Sequence, residues 1–223
     1  MSRGAIAIFV KTPGLSPVKT RLAAKISAKA AEEFYSLSVK AVRSACLLAK
    51  ATLPEHNVEI FWAVAEPPAP QHHMWEDLPT VNQGTGSLGN RLNKVYASLI
   101  QDHDWVICLG GDAPLVSAEY VASAVHAAGN AKNVIGPAVD GGYVLFLGTK
   151  PIPEKLWLDV PYSSHNTSAR FKALLEEIFG RVHMLSSLSD VDEYEDLLAL
   201  KEELRRSPRG KKELDDIFEW LCR

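Results

Sequence analysis

Three cations and a set of aspartates in this 223-residue chain have the types and spacing that phosphate and metal chemistry use. Lys11, Lys19 and Arg21 lie within "KTPGLSPVKTRL", directly behind the apolar run "AIAIFV". Pro13 and Pro17 stiffen this stretch, which lowers the entropy lost in holding the three cations together, and backbone amides near Gly14 and Val18 could face an anion as well. Polyphosphate is the natural guest. The spacing is neither that of a P-loop nor that of a GxGxxG dinucleotide motif. A solvated loop with its lysines in water explains the same residues.

Asp112 follows an apolar run in "VICLGGDAPLV". Gly110 and Gly111 would let a ligand approach the backbone, and a carboxylate there is a hard oxygen ligand suited to Mg²⁺ or Mn²⁺ already held by phosphate. The alternative is an Asx turn or a helix cap. A second carboxylate could come from "LSDVDEYEDLLAL", with Asp190 and Asp192, although Asp192 and Glu195 also have the spacing of a capping box. In "GPAVDGGYVLFLG", Asp140, Gly141 and Gly142 precede Tyr143 and an apolar strand; the glycines suit positive φ, room for a bulky neighbour, or a plain hairpin turn. "NQGTGSLGNRL" sets three glycines ahead of a helix carrying Arg91, which could pair with phosphate. The seven histidines form no ligand pattern, and no GxSxG elbow is present.

These motifs need elements to position them, and the hydrophobic pattern supplies a strand–helix alternation. Strands are expected at Ala5–Val10, Val58–Ala65, Trp105–Leu109, Val134–Ile135, Tyr143–Leu147 and Val182–Leu185. Helices are expected from Ser27 to about Leu53, with Leu37 and Leu48 on the apolar face, and at Leu88–Ile100, Ala118–Ala128, Asn166–Phe179, Asp192–Arg206 and Lys211–Leu221. Such alternation implies βαβ units, hence a mainly parallel sheet covered on both faces. Ligands then bind beyond the carboxyl ends of the strands, where both the cationic loop and Asp112 fall.

Composition narrows the class. The chain is 47% hydrophobic and 23% charged with a net charge of −3, so it suits one globular domain over residues 1–223 and offers no broad basic field for nucleic acid. Cys46, Cys108 and Cys222 stand too far apart for a CxxC site. No run approaches the roughly 20 apolar residues of a membrane span, and the amino-terminal apolar run is too short for a secretory signal, so a cytoplasmic protein is expected.

In order, the cationic loop, "GGDAP", "DGGY" and "DVDEYEDL" resemble the nucleotide-diphospho-sugar transferase superfamily, the GT-A fold. More narrowly, the chain resembles the bacterial glycosyltransferase-like proteins related to phospholactate guanylyltransferase, and the likeness spans nearly all of it. The resemblance implies a three-layer α/β/α sandwich with a mainly parallel, mixed central sheet. It implies that Lys11, Lys19 and Arg21 hold donor phosphates; Gly110, Gly111 and Arg91 are expected beside the donor from their own motifs, although a flexible loop and a helix N-cap also explain the stretch before Arg91. Asp112 and Asp192 would bind the metal, and Asp140, Gly141, Gly142 and Tyr143 would lie beside the sugar or acceptor. This chain departs from the family pattern at Pro17, where a glycine is usual, at "YSS" near residue 162 in place of Trp-Ser-Thr, and at "EY" after Asp192 in place of Thr-Pro.

The expected activity is Mg²⁺- or Mn²⁺-dependent transfer from a nucleotide-activated donor to a small-molecule acceptor, with Asp112, Lys19 and Arg21 as the catalytic set. Glycosyl transfer from a nucleotide sugar is the first reading. Nucleotidyl transfer from a nucleoside triphosphate is the alternative, and a non-catalytic nucleotide-binding module is a third. The second strand and the loop at 67–79 are expected to frame the base.

Overall fold

The computed structural model describes residues 1–66, 73–207 and 210–223. Strand β1 (Ser2–Val10) shows why its sequence makes a central strand. Ile6, Ile8 and Val10 pack on one face of the sheet and Ala5 and Ala7 on the other, all at most 2% exposed. A strand buried on both faces reads as a continuous apolar run and takes parallel neighbours. Accordingly β1 pairs in parallel with β2 (His56–Val64) and with β4 (Trp105–Gly110).

The other strands are β3 (Thr80–Asn82), β5 (Asn133–Pro137), β6 (Tyr143–Gly148) and β7 (Val182–Met184). The order across the seven-stranded sheet is β3-β2-β1-β4-β6-β5-β7. Only β6 runs antiparallel, against both β4 and β5, so the sheet is mixed but mainly parallel, as expected. The turn between β5 and β6 holds the "VDGG" stretch, and it is a hairpin.

Eight helices are described: α1 (Thr20–Ile26), α2 (Ala28–Thr52), α3 (Leu88–Leu99), α4 (Ala118–Ala128), α5 (Glu154–Leu158), α6 (Thr167–Phe179), α7 (Tyr194–Arg206) and α8 (Lys212–Leu221). Tyr35, Val39, Val42 and Cys46 of α2, with Val121 and Val125 of α4, cover one face of the sheet. On the other face Val95 and Tyr96 of α3, Trp157 of α5 and Phe171 of α6 close around Phe146 of β6, with ring centroids 4.9–5.7 Å apart. These three layers are the α/β architecture predicted from the sequence.

A third apolar cluster lies to one side, where Leu22 of α1, Phe34 of α2, Val191, Leu197 of α7 and Ile217 of α8 meet. It matters for the site because it clamps the residues after the cationic loop to the residues around 191. Among the described residues, no helix is long and apolar enough to cross a membrane.

Three elements were not foreseen. Helices α1 and α5 and strand β3 are only 7, 5 and 3 residues long, too short for periodicity to show. Leu48, expected on the buried face of α2, is 58% exposed. The buried stripe runs through Tyr35, Val39, Val42, Cys46 and Ala49, and Leu48 stands one step round the helix from it.

The connections create the crevice. The crossover from β1 to β2 passes through α2 on one face, whereas that from β3 to β4 passes through α3 on the other. The paths part between the adjacent strands β1 and β4, beyond Val10 and Gly110, which is the topological switch point of an open α/β sheet.

Leu22 is fully buried in the third cluster. Leu22→Ala is expected to lower stability by about 2–5 kcal/mol in urea denaturation, as for other large-to-small core changes. Leu48→Ala, at its exposed position, is expected to leave the midpoint nearly unchanged.

Candidate functional site

A cavity of about 470 Å³ opens at this switch point. The cationic loop forms one wall and is anchored by its own polar groups. The Lys11 N–H donates to the Tyr35 hydroxyl at 2.9 Å, and the Thr12 N–H donates to Glu66 Oε2 at 2.9 Å. Thr12, fully buried, accepts at its hydroxyl from Trp75 Nε1 at 3.0 Å, and its carbonyl accepts from the Leu15 and Ser16 amides. Gly14, with φ of 82°, lets the chain reverse.

The loop delivers Lys19 to the start of α1 in a left-handed conformation, φ 46° and ψ 46°. For a residue with a side chain this costs on the order of 1 kcal/mol or more, and surrounding contacts must hold it. Those contacts are ionic. Lys19 Nζ donates to Asp112 Oδ2 at 2.8 Å and to Asp192 Oδ1 at 2.8 Å. The lysine side chain is only 3% exposed, whereas the two carboxylates are 43% and 48% exposed and face the cavity. Burial works against the lysine charge, but the two carboxylates outweigh it and hold the Lys19 pKa above the usual lysine range. In return, the Lys19 ammonium keeps the Asp112 carboxyl below the usual carboxylate range.

Asp192 is free for this contact because the cap of α7 falls one residue later than its spacing suggests. Glu193 is the N-cap, and Asp196 Oδ2 accepts from the Glu193 amide at 2.8 Å and the Asp192 amide at 3.0 Å. The Asp192–Glu195 capping box is therefore replaced by Glu193 with Asp196. Asp190, two residues earlier, is pushed up to about 6 by burial and by the neighbouring Asp140 and Asp192.

Of the other predicted residues, Lys11, Arg21, Gly110, Asp140, Gly142 and Tyr143 all line the cavity. Arg21 is 68% exposed and lies 3.6 Å from Glu193. Three residues depart from expectation. Arg91 turns back to donate to the Gly86 carbonyl at 3.3 Å and is not part of the cavity wall. Gly111 serves packing rather than a ligand: its amide donates to the Phe9 carbonyl at 3.0 Å, and a Cβ there would sit 2.9 Å from Val10 Cγ1. Gly141, with φ of 93°, seats the β5–β6 turn against the backbone of His165, where a Cβ would come within 1.9 Å of the carbonyl oxygen. Strand β2 does not reach the cavity wall, and residues 67–72 of the loop expected to frame a base lie outside the described residues.

Sequence reasoning did not find Gln83, Tyr35 and Tyr162, which also line the cavity. Gln83 is 5% exposed and donates from Nε2 to the carbonyls of Val10 (3.1 Å) and Ala63 (2.8 Å). A lone glutamine before "GTG" was its only signal. Tyr162 sits in the "YSS" that departs from the family pattern. Tyr143 and Tyr162 both line the cavity, and their hydroxyls are buried without a hydrogen-bond partner among the described residues.

The donor set fits a divalent cation. Asp112 and Asp192 already converge to within 2.8 Å of one positive charge, and both are hard oxygen ligands. Mg²⁺ is commonly held by one or two carboxylates together with substrate phosphates and water, and the cavity borders both carboxylates.

The lowered Asp112 pKa has a sign in folding. A carboxylate with a depressed folded-state value adds stability above the ordinary value near 4 and loses it as pH falls through the folded value. Stability measured by urea denaturation is expected to decline from pH 5 to pH 3, with a shallower decline in Asp112→Asn.

Known proteins of the same shape include a provisionally named nucleotide-diphospho-sugar transferase from Desulfovibrio desulfuricans G20, with a TM-score of 0.83, 22% identity, and coverage of 100% of this chain and 98% of that one. A 4-diphosphocytidyl-2C-methyl-D-erythritol synthase from Anaerococcus prevotii DSM 20548 gives 0.59, 14%, 92% and 97%. A nucleotidyl transferase from Methanothermobacter thermautotrophicus gives 0.58, 18%, 92% and 99%. At these identities the likeness shows the fold, which is that of the nucleotide-diphospho-sugar transferases. No curated protein matches the sequence. Residues 47–164, more than half of the chain, match the family described as "uncharacterized protein conserved in bacteria" (DUF2064), and the chain belongs to that family.

Proposed function

We propose that the protein is a metal-dependent transferase that takes a nucleotide-activated donor in the cavity at the β1–β4 switch point. The observation that carries this reading is the convergence of Lys19, Asp112 and Asp192 on one point of the cavity wall. Asp112 and Asp192 would hold Mg²⁺ or Mn²⁺, which when bound neutralises charge on a departing diphosphate. Lys11 and Arg21, on the same wall, would orient the donor phosphates and supply further positive charge as the leaving group departs. Asp140, Gly142 and Tyr143, on the opposite strand pair, would position the sugar or acceptor.

Glycosyl transfer is the first reading. An acceptor hydroxyl oxygen becomes bonded to the anomeric carbon and gives up its proton to water, the bond from that carbon to the diphosphate oxygen breaks, and a nucleoside diphosphate leaves. A second reading, nucleotidyl transfer with release of pyrophosphate, is favoured by the names of two of the structures with the same fold, a diphosphocytidyl-methylerythritol synthase and a nucleotidyl transferase.

Calorimetric titration with a panel of nucleotide sugars and nucleoside triphosphates, with and without Mg²⁺, tests the reading. Metal-dependent binding of one nucleotide sugar, weakened about a hundredfold or more in Asp112→Ala, is the expected result. A preference for a triphosphate would select nucleotidyl transfer, and binding indifferent to both Mg²⁺ and Asp112 would contradict the metal-dependent account.

A further inference from the structure

We infer that Lys19 is a resident counter-ion that a divalent cation must displace, so that metal and donor phosphate each bind more tightly in the presence of the other. The inference rests on the reading that Asp112 and Asp192 are the metal ligands. The ammonium of Lys19 occupies the point on which both carboxylates converge, 2.8 Å from each, and its side chain is almost wholly enclosed. A hard divalent ion bonds carboxylate oxygens at about 2.1 Å, closer than the ammonium stands, so the two cations cannot share the gap. Their mutual repulsion at such a separation reinforces the exclusion.

Lys19 also has somewhere to go. It is itself part of the cavity wall, beside Lys11 and Arg21, so the displaced ammonium faces the space where the donor phosphates would lie. Its left-handed backbone is held at the end of a loop containing Pro13, Gly14 and Pro17, and the ion pairs with Asp112 and Asp192 are what tie the side chain inward. Transfer of the carboxylates to the metal, and of Lys19 to the phosphate, keeps every charge paired. Without phosphate, the metal must evict Lys19 and leave it without an anion. Linkage then requires that donor binding strengthen metal binding and the reverse, by the same factor.

The test uses Mn²⁺ alone, its binding read from the electron paramagnetic resonance signal of the free ion, on nucleotide-free wild-type protein, Lys19→Met and Lys19→Met/Asp192→Asn. The expected result is weak binding by wild type, binding at least about tenfold tighter by Lys19→Met, and loss of that gain in the double variant. Equal affinity in wild type and Lys19→Met, still sensitive to Asp112→Asn, would overturn the displacement while leaving the metal site intact. Absence of Mn²⁺ binding to any of these proteins would overturn both. Should Lys19→Met fail to fold, the side-chain ammonium resonance of Lys19 in wild type decides. Loss of its slow exchange with water as Mg²⁺ is added is expected, and a resonance unchanged at saturating Mg²⁺ would overturn the inference.

Discussion

A single ammonium, Lys19 Nζ, closes the gap between two carboxylates that lie 93 and 173 residues further along the chain. The rest of the structure can be understood as the means of bringing these three groups together. The sheet places the ends of β1 and β4 side by side, which sets the cationic loop next to Asp112. The third apolar cluster, joining Leu22 and Phe34 to Val191 and Leu197, then fixes the start of α1 against the approach to α7. Neither contact alone would suffice. The parallel pairing controls the first distance and the side cluster controls the second.

The ion pairs are not simply glue. Enclosing a lysine is costly unless its charge is matched, and here two carboxylates match it while remaining about half open to the cavity. The arrangement is therefore asymmetric, with the cation hidden and the anions presented. A cavity wall that offers carboxylates to its contents is suited to a metal–phosphate ligand, whereas the same residues fully buried would be suited only to stability. The cavity also has an apolar side, including Phe9, Leu92 and Tyr143, which under the proposed function would shield the remainder of a ligand from water.

Much of this was legible before the structure. Apolar runs bounded by Gly and Pro marked six of the seven strands, and the 3.6-residue period marked every helix of ten residues or more. Asp112 could be singled out because a carboxylate after a buried strand has few structural duties, and its place at the carboxyl end of β4 follows from the strand itself. The partner of Lys19 was less accessible. Its type and loop suggested a free phosphate ligand, yet its burial depends on a contact between distant segments that no local pattern encodes. Asp192 shows the limit at the scale of one residue: two overlapping acidic spacings, 192 with 195 and 193 with 196, could each cap α7, and the folded chain uses the second, with Leu197 and Leu200 buried in the third cluster. Glycines illustrate the same ambiguity. Gly111 and Gly141 are needed for close approach of backbone to the protein itself, while Gly110 and Gly142 border the cavity, and sequence cannot separate these uses.

The central claim is that the point shared by Asp112, Asp192 and Lys19 is where a divalent ion meets a nucleotide donor. Crystals grown with Mn²⁺ and the nucleotide that binds best, measured at the manganese absorption edge, test it most directly. The account predicts an anomalous peak bonded to the carboxylates of both Asp112 and Asp192, with the Lys19 ammonium moved onto a phosphate oxygen. A peak elsewhere, or a nucleotide bound in the cavity with Lys19 still bridging the two aspartates and no manganese beside it, would contradict it.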